Sequence, residues 1–168
     1  MIFLANRGNL DQSQTHREVH DFLASRVTES DEPVLRVSYH PSRSQREEVR
    51  AEMDARMFVG DVSYDVERAE LQVGFEMSQS LPFDHYKIQW VESERELMIG
   101  WHQDGTHSDL CECHFQIDHE GDYVQRTEAD YLDDHPLNIL GKRIGVLPEI
   151  LRSISTDGRP SVSESLVR

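Results

Sequence analysis

Residues 101–118, WHQDGTHSDLCECHFQID, gather the groups that ligate metals, carry protons or attack electrophiles: His102, His107, His114, Asp104, Asp109, Cys111 and Cys113. Imidazoles beside carboxylates are suited to general acid and base work near neutral pH, where histidine titrates. A metal-free ribonuclease needs little more than two such groups and a cation for the phosphate, and Arg95 and Arg126 are available for that charge. Histidine and cysteine are also zinc ligands. However, Cys111 and Cys113 stand as C-x-C, and no second pair follows at zinc-site spacing. Cys113 also alternates onto the apolar side with Phe115 and Ile117, where unpaired cysteine is commonly buried. No metal and no cofactor is therefore assigned. A third reading stays open beside these two: histidines on strand ends and in loops are ordinarily satisfied by water.

Elsewhere, His16 and His20 lie four apart on the polar side of an expected helix and read as solvated. His40, His85, His119 and His135 flank turns and need no role.

Strands must position the central groups. Leu71, Val73, Phe75 and Met77 alternate with polar residues, the period of a half-buried strand. The alternation resumes over 85–92 and 96–102, joined by the polar turn Glu92-Ser-Glu-Arg95, which predicts an antiparallel hairpin. Cys113, Phe115 and Ile117 share one face of a following strand and His114 and Gln116 the other; 123–127 is a further short strand. His102 then ends one strand, His114 sits on a neighbour about 4.8 Å away, and His107 lies in the loop between them. Leu147, Ile150, Leu151 and Ile154 mark a closing helix with Pro148 in its first turn, after a loop punctuated by Pro136 and Gly141.

The first 60 residues read β-α-β-α. Met1–Ala5 and Val34–Tyr39 are strands. Thr15-His-Arg-Glu18 and Ser44-Gln-Arg-Glu47 have capping-box spacing and predict helices over 15–27 and 45–58. The fold class is α+β: an antiparallel meander of three to five strands with two N-terminal helices and one C-terminal helix. Residues 1–155 form a single domain, with segments 1–60 and 61–155, and the Ser-rich residues 156–168 a disordered tail.

The totals set outer bounds. A chain of 168 residues buries roughly two thirds of its unfolded surface and needs no staples. Two cysteines one residue apart form no disulfide framework, no apolar run approaches the ~20 residues of a membrane span, and the start does not read as a signal peptide. A cytoplasmic protein without membrane contact is expected. The net charge is −15, with 32 acidic residues spread along the chain against 15 Arg and 2 Lys. That composition suits a salt-adapted cytoplasm, or an ordinary acidic protein from a GC-rich genome. In dilute salt it argues against nonspecific nucleic-acid binding, which needs a basic patch; in molar salt the argument lapses.

Over residues 68–154 the order of elements resembles the TumE family of toxins from prokaryotic toxin–antitoxin operons. The shared order is an alternating strand, an aromatic-rich hairpin, a His-containing loop, a His-bearing strand and a terminal amphipathic helix. Trp101-His-Gln-Asp-Gly-Thr-His107 takes the place of the first family motif and Cys113-His-Phe-Gln116 that of the second. The resemblance implies a toxin, a cognate antitoxin partner that is often DNA-binding, and RNA as a candidate target. It carries over His107 and His114; if the chain is catalytic these are the expected acid and base, with Asp104 expected to orient one imidazole and His102 to contribute. The alternative from the residues themselves is a non-catalytic interaction domain.

Overall fold

The computed structural model describes residues 11–27, 31–78, 81, 83–105, 109, 111–154 and 158–168. The expected strand at Met1–Ala5, and His107, lie outside the described residues.

Seven strands form one antiparallel sheet in chain order: β1 Val34–Pro41, β2 Arg46–Asp54, β3 Arg68–Glu76, β4 His85–Glu92, β5 Leu97–Gln103, β6 Cys113–His119 and β7 Asp122–Glu128. The helices are α1 Gln12–Ala24, α2 Ala55–Val59, α3 Pro136–Ser153 and a short α4 Glu164–Val167. The arrangement is α+β, but the expected meander of three to five strands is corrected to seven. The sheet runs straight through residue 60, with Val49 opposite Val73 and Met53 opposite Ala69.

The largest correction is at 45–58. Most of that expected helix is strand β2, and only Ala55–Val59 is helical. Val49, Met53 and Met57 are spaced by four, which satisfies a period of 2 as well as a helical period. Ala51 decides the matter: Val49, Ala51 and Met53 are all buried while Arg50 and Glu52 alternate away. Arg56, four residues after Glu52, donates instead to Glu67 at 2.8 Å. Met57 is exposed.

Two helix starts also move. α1 begins at Gln12, where Asp11 accepts the Ser13 N–H at 3.1 Å. Thr15 lies inside the helix, its hydroxyl on Met77 Sδ at 3.4 Å. α3 begins at Pro136, a favoured first-turn position, with His135 Nδ1 accepting the Leu137 N–H at 3.3 Å. The expected loop around Pro136 and Gly141 is therefore helix, and Pro148 lies in its interior. Leu140, Leu147, Ile150 and Leu151 bury the stripe that holds α3 in place despite the lost backbone donor at Pro148.

All four helices bury side chains in one core with the apolar face of the sheet, which carries Leu71, Val73, Ile88, Trp90, Ile99, Trp101, Phe115 and Ile117. Among the described residues no helix lies on the opposite face. Residues 158–168, expected to be a disordered tail, also reach the core: Val167 is fully buried and Trp101 Nε1 donates to its carbonyl at 2.9 Å. No helix among the described residues is long and apolar enough to cross a membrane.

Candidate functional site

The open face of the sheet carries the side chains that alternate away from the core. Register sets their rows. Lys87 stands opposite His102, His102 opposite His114, and His114 opposite Glu128. In the next row Gln89 faces Gly100, Gly100 faces Gln116, and Gln116 faces Arg126. The backbone approaches closely at Gly100, where a Cβ would stand 2.2 Å from Ile88 O and 2.8 Å from Gln89 Cα. Only glycine permits that approach. Side chains close over this point, so that Gln89, His114 and Gln116 are buried although no helix covers them.

The two imidazoles predicted at 102 and 114 do meet. Their ring centroids are 5.3 Å apart, edge to face at 63°. Each Nε2 is held by a glutamine amide. Gln89 Nε2 lies 2.6 Å from His102 Nε2 and also donates to Met98 Sδ at 3.2 Å. His114 Nε2 lies 3.1 Å from Gln116 Oε1, and Gln116 Nε2 donates to Asp118 Oδ2 at 3.2 Å. In this arrangement the Gln89 amide donates to His102 Nε2, and His114 Nε2 donates to the Gln116 amide oxygen. His114 is only 1 % exposed, which removes it from direct reach of a bulky substrate.

Asp104 follows the end of β5 and lines a groove of about 500 Å³ with His102, Lys87, His85, Glu48 and Glu76. Lys87 was not singled out in the sequence, yet the hairpin register that pairs Glu92 with Leu97 also brings Lys87 to His102. Lys87 Nζ lies 2.8 Å from Glu48, and Arg50 Nε lies 2.5 Å from the same carboxylate. Burial works against the charged form of Glu48, but the Lys87 and Arg50 hydrogen bonds outweigh it and hold its pKa below the usual carboxylate value.

Of the two arginines named as candidate cations, Arg95 is remote from the histidines. It pairs with the fully buried Glu92, which also accepts from Tyr64 at 2.5 Å and from Trp90 Nε1 at 2.8 Å. Arg126 is on the open face, its guanidinium 3.6 Å from the centre of the Tyr123 ring. Arg126 Nε and Asp118 Oδ1 are the two buried side-chain polar atoms without a hydrogen-bond partner among the described residues. Burial raises the Asp118 pKa, against the opposing influence of the Arg126 charge and the Gln116 hydrogen bond.

The remaining members of 101–118 disperse. Asp109 is exposed. Cys111 is exposed, with its thiol pushed up by a hydrogen bond to Glu128. Cys113 is buried on the core side, 3.4 Å from Tyr86 Oη and 3.6 Å from Arg143 Nη2, and burial pushes its thiol up. Among the described residues no three His, Cys, Asp or Glu side chains converge as a metal ion requires. His16, expected on a solvated helix face, is fully buried: Nδ1 lies 2.7 Å from Arg46 O and Nε2 accepts the Phe75 N–H at 3.0 Å.

Compared with known proteins, the chain matches no family model, no curated protein and no solved structure.

Proposed function

We propose that this chain is a non-catalytic interaction domain whose contact surface is the open polar face of the sheet. The observation that carries this reading is the pair Asp118 Oδ1 and Arg126 Nε: a buried acceptor and a buried donor on adjacent strands, each without a partner among the described residues. Leaving such a group unmet costs about 1–3 kcal/mol, and a docking partner that shifts the covering side chains and offers both a donor and an acceptor recovers that cost. The glutamine ladder that fixes His102 and His114 supplies a rigid polar platform beside them. The partner sought first is the product of a reading frame adjacent to this one, which would be an antitoxin only on the toxin reading below. With that product as bait, pull-down is expected to recover the wild-type chain and to lose the Arg126→Glu variant. Equal recovery of both would remove the open face as the contact surface.

One observation favours a second reading, an RNA-directed toxin. His102 and His114 are 5.3 Å apart, with Lys87 opposite His102 and Asp104 at the mouth of the same groove. Two imidazoles and a cation are the parts that metal-free phosphodiester cleavage uses. Induced expression in a salt-tolerant host separates the readings. Growth arrest with RNA breakdown, absent in a folded His102→Ala/His114→Ala variant, supports the toxin. Normal growth with intact RNA in both supports the interaction domain.

A further inference from the structure

Residues 158–168 are held against the body of the protein by side chains that read main chain. Gln125 on β7 donates from Nε2 to Val162 O at 3.0 Å and accepts the Val162 N–H at Oε1 at 2.9 Å. Trp101 Nε1 donates to Val167 O at 2.9 Å. The Val167 side chain is fully buried, Pro160 is buried, and Val162 and Leu166 pack on the core. Among the described residues no main-chain hydrogen bond joins this segment to the sheet. It is thus bound much as a peptide ligand is bound, by a two-point amide clasp on one extended residue and an apolar anchor five residues later.

The clasp recurs in the same molecule. Gln103 donates to Leu132 O at 3.1 Å and accepts the Leu132 N–H at 3.1 Å. Both clasps hold main chain, while the clasped Val162 and Leu132 also pack on the core, so an apolar residue with a free N–H suits the clasped position. Further selectivity comes from the Val167 pocket beside Trp101, where a β-branched side chain fits without exposure.

We propose that Gln125, Trp101 and the Val167 pocket form a binding groove for a peptide that enters on one clasped residue and closes with a single helical turn, as α4 does, held in cis by residues 158–168, from which an incoming segment of like chemistry displaces them. The ligand is a segment of a partner protein with that shape. One of its residues offers N–H and C=O to Gln125, and a β-branched apolar residue follows five positions later. This groove lies on the helix side of the sheet and is independent of the contact proposed for the open face.

The test uses the full chain and a fluorescent synthetic peptide of sequence GRPSVSESLVR, matching residues 158–168. Val167→Asp weakens the cis segment by placing a charge in its pocket. The folded Val167→Asp chain is expected to bind the peptide about tenfold more tightly than wild type, and adding Gln125→Ala is expected to weaken that binding about tenfold, the worth of roughly two neutral hydrogen bonds. A folded Val167→Asp chain that binds no better than wild type overturns the proposal. Should that variant not fold, amide exchange on the wild type decides. Exchange of the Val162 amide about a hundredfold faster than those of Ile88 and Ile99, through local opening, supports a displaceable segment. A Val162 amide that exchanges only with global unfolding overturns it.

Discussion

The two faces of this sheet treat the same kinds of residue differently. On the helix-covered face buried charge is closely matched. Glu92 takes hydrogen bonds from Tyr64, Trp90 and Arg95. The Arg143 guanidinium donates to Tyr86 Oη at 3.0 Å and to Asp130 O at 2.5 Å, and lies 5.1 Å from the Trp101 ring centre. His16 uses both ring nitrogens. On the open face Glu48 is matched by Lys87 and Arg50, but the ladder through Gln89, His102, His114 and Gln116 ends at Asp118, which, like Arg126 opposite Gln116, keeps one atom unmet among the described residues. Polar groups bound on every side specify a core. Polar groups left incomplete on an accessible sheet mark where a partner gains most by docking.

The contrast can be broken most severely at Glu92. Glu92→Ala leaves the Arg95 guanidinium, the Tyr64 hydroxyl and the Trp90 N–H without their acceptor, and is expected to cost about 3–5 kcal/mol. Urea unfolding measures it, and a loss below about 1 kcal/mol would show that the cluster is solvated and the contrast false. Next comes Gly100→Ala. Its Cβ would meet backbone, which no rotamer relieves, and a loss of about 1–3 kcal/mol is expected.

His16 sharpens the comparison through pH. Burial lowers its pKa, against the Arg46 carbonyl hydrogen bond and the Glu48 charge. The fold therefore favours the neutral ring, and its contribution is present above the unfolded value of about 6.5. It is lost as pH falls below that value through the folded pKa. His16→Leu is expected to flatten the stability profile between about pH 7 and 5; an unchanged slope would mean another group carries it.

The smallest effect is expected at Asp118, and with the opposite sign. Its raised pKa means that ionisation is unfavourable in the fold, so its contribution is present at low pH and is lost as pH rises through the folded value. Asp118→Asn is expected to stabilise slightly at pH 7 and not at all at pH 3. Destabilisation at pH 7 would show that the carboxylate is already well partnered.

Much of this architecture was legible in the sequence. Period-2 alternation placed β3 to β7, and the register of the hairpin joining β4 to β5 put His102 beside β6. Residues 45–58 misled because spacing by four fits both periods, and the intervening Ala51 was weaker evidence than an apparent capping box. The start of α3 was hidden because Pro136 was read as a breaker, when Pro also opens helices. At the site, the meeting of His102 and His114 was predicted, whereas the burial of His114 was not. Burial there is a tertiary effect without a local signal. The unmet atoms of Asp118 and Arg126 lie next to the register shift between Ile117 and Asp118, which single-sequence alternation does not mark. The seat of 158–168 was missed because Ser-rich composition speaks for disorder, while Val162 and Val167 bind singly and make no periodic pattern.

The measurement that bears most directly on the central claim compares the two faces in one titration. The product of the adjacent reading frame is titrated calorimetrically into the wild-type chain, into Arg126→Glu on the open face, and into Arg17→Glu on the exposed side of α1. Binding to wild type and to Arg17→Glu with similar affinity, weakened at least about tenfold in Arg126→Glu, is the result expected when a docked charge loses its complement. Equal affinity for all three, or loss only in Arg17→Glu, would contradict the assignment of the open face as the contact surface.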